Sequence, residues 1–397
     1  MTFAERIIAV FCAACALGVV YAYALYPLVV WTLARLFGRK PVARMAEDAH
    51  GLPTVDLLIA AHNEEAVIAD RVRNALSLDY PADKCRVVIA SDASTDTTNR
   101  LCARFDQRVH LLAFEERRGK AGTLNAAMEH LKADIVVLSD ANTFMDPDAL
   151  RKLVRWFNNE RVGVVCGSLV LTDPTTGKNV DGLYWKYETF LKVCEARLGA
   201  LLGSNGAIYA IRRSLLKPIP ANTIVDDFVI PLRARLESGC EIVYDDEAVA
   251  REESAPDVAS EFRRRIRIGT GGLQAMAFLS PLLHPRWGWT AFALWSHKVM
   301  RWVGPFFLLG MLVSSISLSR HSGFFWSSMI QVAAYVVGGI VWFVPTSVRA
   351  VRPARVLPMF MSMNAALMVG CLRWWTGRAT GVWSRTPRSA TQAAVGR

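Results

Sequence analysis

Several short clusters place ionisable or ligating side chains beside the ends of apolar runs. In Ser91-Asp92-Ala93-Ser94-Thr95-Asp96, Ser94 is expected to cap a following helix and Asp96 to favour its positive end. That leaves Asp92 at a strand end, where an acceptor can read a base or a ribose. Arg117-Arg118-Gly119-Lys120 precedes a helix expected to open at Gly122. Cations there are unfavourable without an anion, so the run is either a solvated basic turn or a phosphate site of Lys120 and backbone N–H groups. Asp140-Ala141-Asn142 ends another apolar run. Two oxygen side chains spaced two apart on an extended turn face the same way and suit a hard divalent cation that also bridges a diphosphate. Asp226-Asp227 opens the segment from Asp227 to Glu237: the pair either caps a helix or, with one carboxylate buried beside its neighbour, supplies a general base. Arg263-Arg264-Arg265-Ile266-Arg267 follows Glu261 and is either a solvated or membrane-facing surface or a pyrophosphate contact.

The elements that must hold these clusters are legible between Gly51 and about Phe278. Short β-branched runs predict strands over Val55 to Ala60, Arg86 to Ala90, Val109 to Phe114, Ile135 to Ser139 and Val162 to Leu171. Helices are expected over Glu64 to Leu76, Thr95 to Phe105, Gly122 to Leu131 and Pro147 to Phe157, the last with Asp146 as its cap. Strands alternating with helices predict a mostly parallel sheet covered on both faces. In such sheets ligands bind outside the carboxyl ends of the strands, where Asp92, Asp140 and Asn142 fall.

The rest of the chain has a different solvent. Of 397 residues, 52% are hydrophobic and only 20% charged, with 46 Lys+Arg against 35 Asp+Glu and a formal net charge of +11; the mean hydropathy is +0.24. An ordinary cytosolic enzyme, a disordered chain and a disulfide mini-protein are excluded. Ile7 to Ala34 is uncharged and long enough to cross a hydrocarbon core of roughly 30 Å. Arg35, Arg39, Lys40 and Arg44 follow it, which puts the N-terminus outside and the following segment inside. Trp287 to Trp302 mixes Trp with His297, Lys298 and Arg301, as in a helix lying in the headgroup layer. Trp302 to Ser319, Ser322 to Val348 and Val356 to Leu372 are further spans, the last containing Pro358. Three such crossings put the tail outside, although Arg373, Arg378, Arg385 and Arg388 there argue for inside. The predicted organisation is therefore 1–50, a membrane helix with a basic flank; 51–280, the α/β domain; and 281–397, an interfacial helix, about three transmembrane or re-entrant helices and a basic tail. Eight cysteines are scattered without a metal framework, and the Cys12/Cys15 pair inside the first span reads as small apolar packing. Neither GxxxxGK[ST] nor GxGxxG occurs, and the topology accounts for basic charge that would otherwise hint at nucleic acid.

In order, Asp92xxxAsp96, Gly119-Lys120, Asp140-Ala141-Asn142, Gly203-Ser204-Asn205-Gly206-Ala207 with Ile211-Arg212-Arg213, Asp226-Asp227 and the Arg-rich segment resemble the membrane-integrated family 2 glycosyltransferases. That family includes hyaluronan, chitin, cellulose and poly-N-acetylglucosamine synthases. The resemblance covers roughly Pro53 to Gly272 and the layout of spans. It implies a GT-A fold on the cytoplasmic side of the cell membrane, with Asp92 on the uracil of a UDP-sugar and Lys120 near the diphosphate. It further implies Mg²⁺ or Mn²⁺ at Asp140 and Asn142, Arg264 and Arg267 on the donor, Asp227 as catalytic base, and Gly203, Asn205, Gly206 and Asp226 on the acceptor side. The implied partners are a nucleotide-sugar, a glycan or lipid-linked acceptor and membrane lipids; nucleic acid is not among them, and no protein partner is implied. Two positions depart from the family pattern: Asn142 replaces the second Asp of DxD, and Arg264-Arg265-Ile266-Arg267-Ile268 keeps the Arg of Gln-x-x-Arg-Trp but neither its Gln nor its Trp. A processive synthase, a single-sugar transferase acting on a lipid, and a non-catalytic membrane scaffold are the competing expectations.

Overall fold

The computed structural model describes residues 1–39, 43, 51–173, 179, 182–254, 258–343 and 356–378. Lys40, Arg44, Arg385, Arg388 and the last part of the expected span to Val348 lie outside these. Two compact units emerge: one contains Val30–Asp257 and Gln274–Ala293, the other Met1–Val29, Val258–Leu273 and Leu294–Ala379.

The first unit is built on an eight-stranded sheet of order β3-β2-β1-β4-β7-β6-β8-β5. Its strands are β1 Val55–Ala61, β2 Cys85–Asp92, β3 Val109–Phe114, β4 Ile135–Asp140, β5 Thr143–Met145, β6 Val162–Thr172, β7 Tyr209–Arg212 and β8 Glu241–Glu253. The helices of the chain are α1 Phe3–Leu36, α2 Ile68–Leu76, α3 Thr98–Cys102, α4 Gly119–Met128, α5 Ala149–Val154, α6 Leu183–Arg197, α7 Asp226–Ser238 and α8 Val258–Leu279. After these come α9 Trp289–Ser317, α10 Ser322–Phe343 and α11 Val356–Trp375. Pairing is parallel for β3-β2-β1-β4 and for β6-β8, and antiparallel where β7 joins β4 to β6 and where β5 joins β8. Every residue of β1 is buried, which a central strand covered on both faces requires. Leu57, Ile59, Val87, Ile89, Ile135 and Val137 form one face of the core with Ile68 and Val72 of α2 and Leu150 and Leu153 of α5. The alternate residues point to the other face, which α4 and α7 cover.

The expected strands stand, joined by β5, β7 and β8. All four expected helix starts differ, that of α4 by beginning at Gly119 rather than Gly122. The helices expected from Glu64 and Thr95 begin instead at Ile68 and Thr98, because side chains of the two preceding loops hold each other. Asn63 Oδ1 accepts from the backbone of Thr95 (2.8 Å) and Glu65 Oε2 from that of Thr97 (3.2 Å). Ser94 is therefore not a cap: its hydroxyl accepts from the Asn63 N–H at 3.1 Å. Asp146 does not cap either, since α5 starts behind Asp148 and the Asp146 carboxylate is held by both arms of Arg251 at 3.0 Å.

The second unit is helical, and four helices of the chain, Phe3–Leu36, Trp289–Ser317, Ser322–Ile340 and Val356–Trp375, are long and apolar enough to cross a membrane. Where α1 meets α9, small residues allow close approach. A Cβ on Gly18 would lie 2.7 Å from the Phe307 ring, and one on Gly310 would lie 2.9 Å from Cys15 Sγ, so Cys15 packs as a small side chain. All eight cysteines are free thiols. The segment from Trp287 to Trp302 is not a separate helix: from Trp289 it runs through a π-helical turn, Leu294–Val299, straight into the next span, with no Pro or Gly between to break it. Pro358 sits in the first turn of α11, where its missing N–H costs nothing.

Asp56, 1% exposed, anchors the end of the sheet opposite the strand carboxyl ends. It accepts two bonds from Arg86 (2.7 and 2.9 Å) and the N–H groups of Lys132 and Ala133 (2.7 and 3.0 Å). Burial would raise its carboxyl, but Arg86 and the two N–H groups outweigh this and hold it below the usual range. Asp56→Ala should cost about 3 kcal/mol, read as a lower melting temperature of the detergent-solubilised chain. A depressed folded pKa stabilises above the unfolded value, so the gap between wild type and variant should shrink as pH falls below about 4.

Candidate active site

The antiparallel insertion of β7 brings the chemistry to one edge. Because β7 runs against β4, the turn preceding it, Gly203 to Ala207, emerges at the same edge as the carboxyl ends of β1, β2 and β4. Ser139 Oγ donates to the Ala207 carbonyl at 2.7 Å and ties this turn to β4.

At the centre stands Lys120, in the first turn of α4, which starts a turn earlier than its sequence pattern predicts. Its Nζ lies 2.9 Å from Asp140 Oδ1 and 3.2 Å from Asp226 Oδ2. Burial by itself would lower the ammonium, but the carboxylates of Asp140, Asp226 and Asp227 outweigh it and hold the proton on. A single positive charge cannot balance three carboxylates. Asp226, buried at the start of α7, takes the consequence: burial pushes its carboxyl up, against Lys120, and Asp227 and Asp140 push it further.

Asp227 is held by the turn. Its carbonyl accepts from Ser204 N and Oγ, both at 2.9 Å, and its Oδ2 accepts from the Gly206 N–H at 3.1 Å. Gly203 has φ +84°, a left-handed conformation that favours glycine. A Cβ on Gly206 would stand 3.4 Å from Asp227 Oδ2 and 3.5 Å from Asp140 Oδ2, so this glycine leaves the space between the two carboxylates open. Asn205 faces elsewhere: its Nδ2 donates to the Gly167 carbonyl at 2.9 Å, and its Oδ1 accepts from Lys192.

Asp92 is fully buried, and its oxygens accept from the N–H groups of Arg118 (2.6 Å) and Gly119 (3.0 Å). It therefore fixes the loop that presents Lys120. Asn142 donates through Nδ2 to Glu252 Oε1 of β8 at 2.6 Å, beside the Asp140 carboxylate in sequence. Among the described residues no three His, Cys, Asp or Glu side chains are grouped to hold a metal ion. Arg264 and Arg267 belong to the helical unit, where Arg264 lies 3.8 Å from Glu261 and Arg267 is exposed.

Arg71, buried on α2, had not been singled out from the sequence. It donates to Ser139 Oγ (3.1 Å) and to the Asp140 carbonyl (3.4 Å), and burial lowers its pKa against the pull of Asp140. Its signal was an arginine on the apolar stripe of Ile68, Val72 and Ala75. His62 follows β1; its Nδ1 lies 2.6 Å from the Asp92 carbonyl and its Nε2 meets Arg117.

A mixed sheet thus gathers acids and a half-buried lysine at the carboxyl edge of its strands. Residues 56–217 match the family model described as Glycosyl transferase family 2. The beta-monoglucosyldiacylglycerol synthase of Synechocystis sp. is 29% identical over 235 residues, 56% of this chain and 48% of that protein. The poly-beta-1,6-N-acetyl-D-glucosamine synthase of Staphylococcus epidermidis is 23% identical over 269 residues, 64% of this chain and 65% of that protein. The mannosyltransferase PcManGT from Pyrobaculum calidifontis, solved with GDP-Man and Mn²⁺, superimposes with a TM-score of 0.70 at 22% identity, covering 94% of this chain and 99% of its own. The chain thus carries a family 2 glycosyltransferase domain on a GT-A fold, and it spans less than two thirds of either curated relative.

Asp92→Ala should release the Lys120 loop: the amides of Arg118 and Gly119 should exchange with solvent about tenfold faster or more, since hydrogen bonds to a charged acceptor are worth roughly 1.5–3 kcal/mol. Unchanged protection at both amides would contradict this role.

Proposed function

We propose that the protein is an inverting glycosyltransferase that moves one sugar from a nucleotide-sugar, a UDP-sugar first, to the hydroxyl of a lipid-linked acceptor at the cytoplasmic membrane face. The observation that carries the reading is the intact group of Lys120, Asp140, Asp226 and Asp227 at the sheet edge. A non-catalytic scaffold would have no use for a half-buried ammonium among three acids, which costs stability.

Lys120 faces the leaving diphosphate and offsets its charge as the bond from the anomeric carbon to the diphosphate oxygen breaks. Asp227, oriented by the Gly206 N–H, accepts the proton of the acceptor hydroxyl as its oxygen bonds to the anomeric carbon from the opposite face. The bonding pair leaves with the diphosphate, and the carbon is inverted. Asp92 acts by holding the loop behind Lys120 and closes the nucleoside side of the pocket. Asp226 keeps its neighbour's carboxylate in place on the acceptor side, and Gly203, Asn205 and Gly206 form the turn over which the acceptor enters.

The donor set fits a divalent ion that takes most of its ligands from substrate phosphates, as Mg²⁺ does, rather than one enclosed by protein. Asp140 and the Asn142 carbonyl would hold Mg²⁺ or Mn²⁺, which supplies further neutralisation of the diphosphate. The manganese in the PcManGT structure supports this assignment.

A lipid acceptor is supported by the glycolipid synthase among the relatives and by Ile268 where processive members carry Trp. A processive synthase is the second reading, favoured by the poly-N-acetylglucosamine synthase relative. Purified protein in lipid, given UDP- and GDP-sugars with Mg²⁺ or Mn²⁺, should release nucleotide and yield a glycolipid carrying one sugar. A long polymer would establish the second reading, and inactivity with every donor would defeat both. Asp227→Asn should lower kcat about 10²- to 10⁴-fold with donor binding retained; full activity of that variant would remove Asp227 from the chemistry.

A further inference from the structure

Tyr209 opens β7 with its Cα paired to Leu138 of β4 and to Cys166 of β6, and it is 1% exposed. Ile208 and Ala210, on either side of it, belong to the core on the α2 and α5 face. The pleat therefore sends the Tyr209 side chain to the opposite face, where α4 carries Lys120 and α7 carries Asp226 and Asp227. Among the described residues its hydroxyl has no hydrogen-bond partner. An unsatisfied buried hydroxyl costs roughly 1–3 kcal/mol, and Phe would fill the same space without that cost. The phenol is also held well above its ordinary pKa, by burial first and then by the carboxylates of Asp226, Asp227 and Asp140. It keeps its proton and so remains a donor, one whose hydrogen can rotate to whichever acceptor is in reach.

With Lys120 bridging Asp140 and Asp226, the Tyr209 hydroxyl bonds to neither carboxylate of α7. The proposed reaction changes that. Once Lys120 engages a diphosphate, the carboxylate pair of α7 loses part of the Lys120 charge at the step in which Asp227 must receive a proton. We infer that Tyr209 is a positioning residue for this pair: its hydroxyl donates to the Asp226–Asp227 carboxylates when Lys120 turns to the donor diphosphate. An O–H···O⁻ bond of this kind is short and charge-assisted, and it holds the pair without the charge that a second lysine would bring.

The inference rests on the proposed glycosyl transfer, and the test separates the two. Full-length wild type, Tyr209→Phe and Asp227→Asn are compared in lipid, with melting temperature measured without donor and kcat and donor KM measured by nucleotide release. Tyr209→Phe should melt at the wild-type temperature or above it, since the hydroxyl is unpaired in the resting protein. Its kcat should fall about tenfold with donor KM unchanged, the signature of an interaction made after binding. A lower melting temperature would show that the hydroxyl is already bonded at rest and would overturn the inference. Wild-type kcat for Tyr209→Phe alongside an inactive Asp227→Asn would overturn it while leaving the glycosyltransferase reading intact. Full activity of Asp227→Asn would overturn both.

Discussion

One ammonium among three carboxylates is the constraint around which the sheet edge is organised. Lys120 touches Asp140 and Asp226 directly, and Asp227 lies close enough to act on its charge. Removing such a group from water is expensive, and its Coulombic return depends on geometry holding within a few tenths of an ångström. The surrounding structure supplies that geometry. Asp92 fixes the backbone immediately before Lys120, Arg71 braces the end of β4 from behind, and the Gly203 to Ala207 turn holds Asp227 at three points. The arrangement remains one positive charge short of neutral even with Asp226 protonated. An incoming cation, or a ligand that draws Lys120 away, therefore meets a site prepared for it.

The topology explains why these groups meet at all. An all-parallel sheet would bring only strand carboxyl ends to this edge. Inserting β7 antiparallel between β4 and β6 adds a strand amino end, and with it a turn whose Gly206 N–H bonds the Asp227 carboxylate and whose Ser204 N–H bonds the Asp227 carbonyl. Gly203 is favoured there by its left-handed backbone, and Gly206 leaves open the space between Asp140 and Asp227, where a Cβ would touch both carboxylates at ordinary contact distance. The same strand carries Tyr209 beneath the cluster. A chain segment that looks like a loop and a short strand thus sets both the orientation of the proposed base and the space beside it.

Much of this was legible in the sequence because its signals are local. Buried β-branched runs marked the central strands, acids at their ends marked Asp92 and Asp140, and an adjacent carboxylate pair opening a further segment marked Asp226-Asp227. Contacts between distant segments were not legible. The late starts of α2 and α3 come from Asn63 and Glu65 reaching into the next loop, which no capping pattern encodes. β7 and β8 were missed because their partners lie far away in sequence, and Arg71 looks like any helix arginine until the apolar stripe around it is counted. Asp92 illustrates a further limit: its position at a strand end was read correctly, but its oxygens are taken by backbone N–H groups that only the fold brings there. In the helical unit the pattern of spans was clear from hydropathy, whereas the continuous helix from Trp289 to Ser317 was obscured by polar residues that suggested a boundary.

The proposed reaction is a single displacement, with the leaving diphosphate facing Lys120 and one carboxylate, Asp227, receiving the acceptor proton on the opposite side. The most direct measurement is the anomeric configuration of the product, read from the proton coupling at the transferred sugar's anomeric carbon by NMR. From an α-linked nucleotide-sugar this account predicts a β-linked product. An α-linked product would mean retention, which one base acting in one displacement cannot give, and would contradict the role assigned to the cluster.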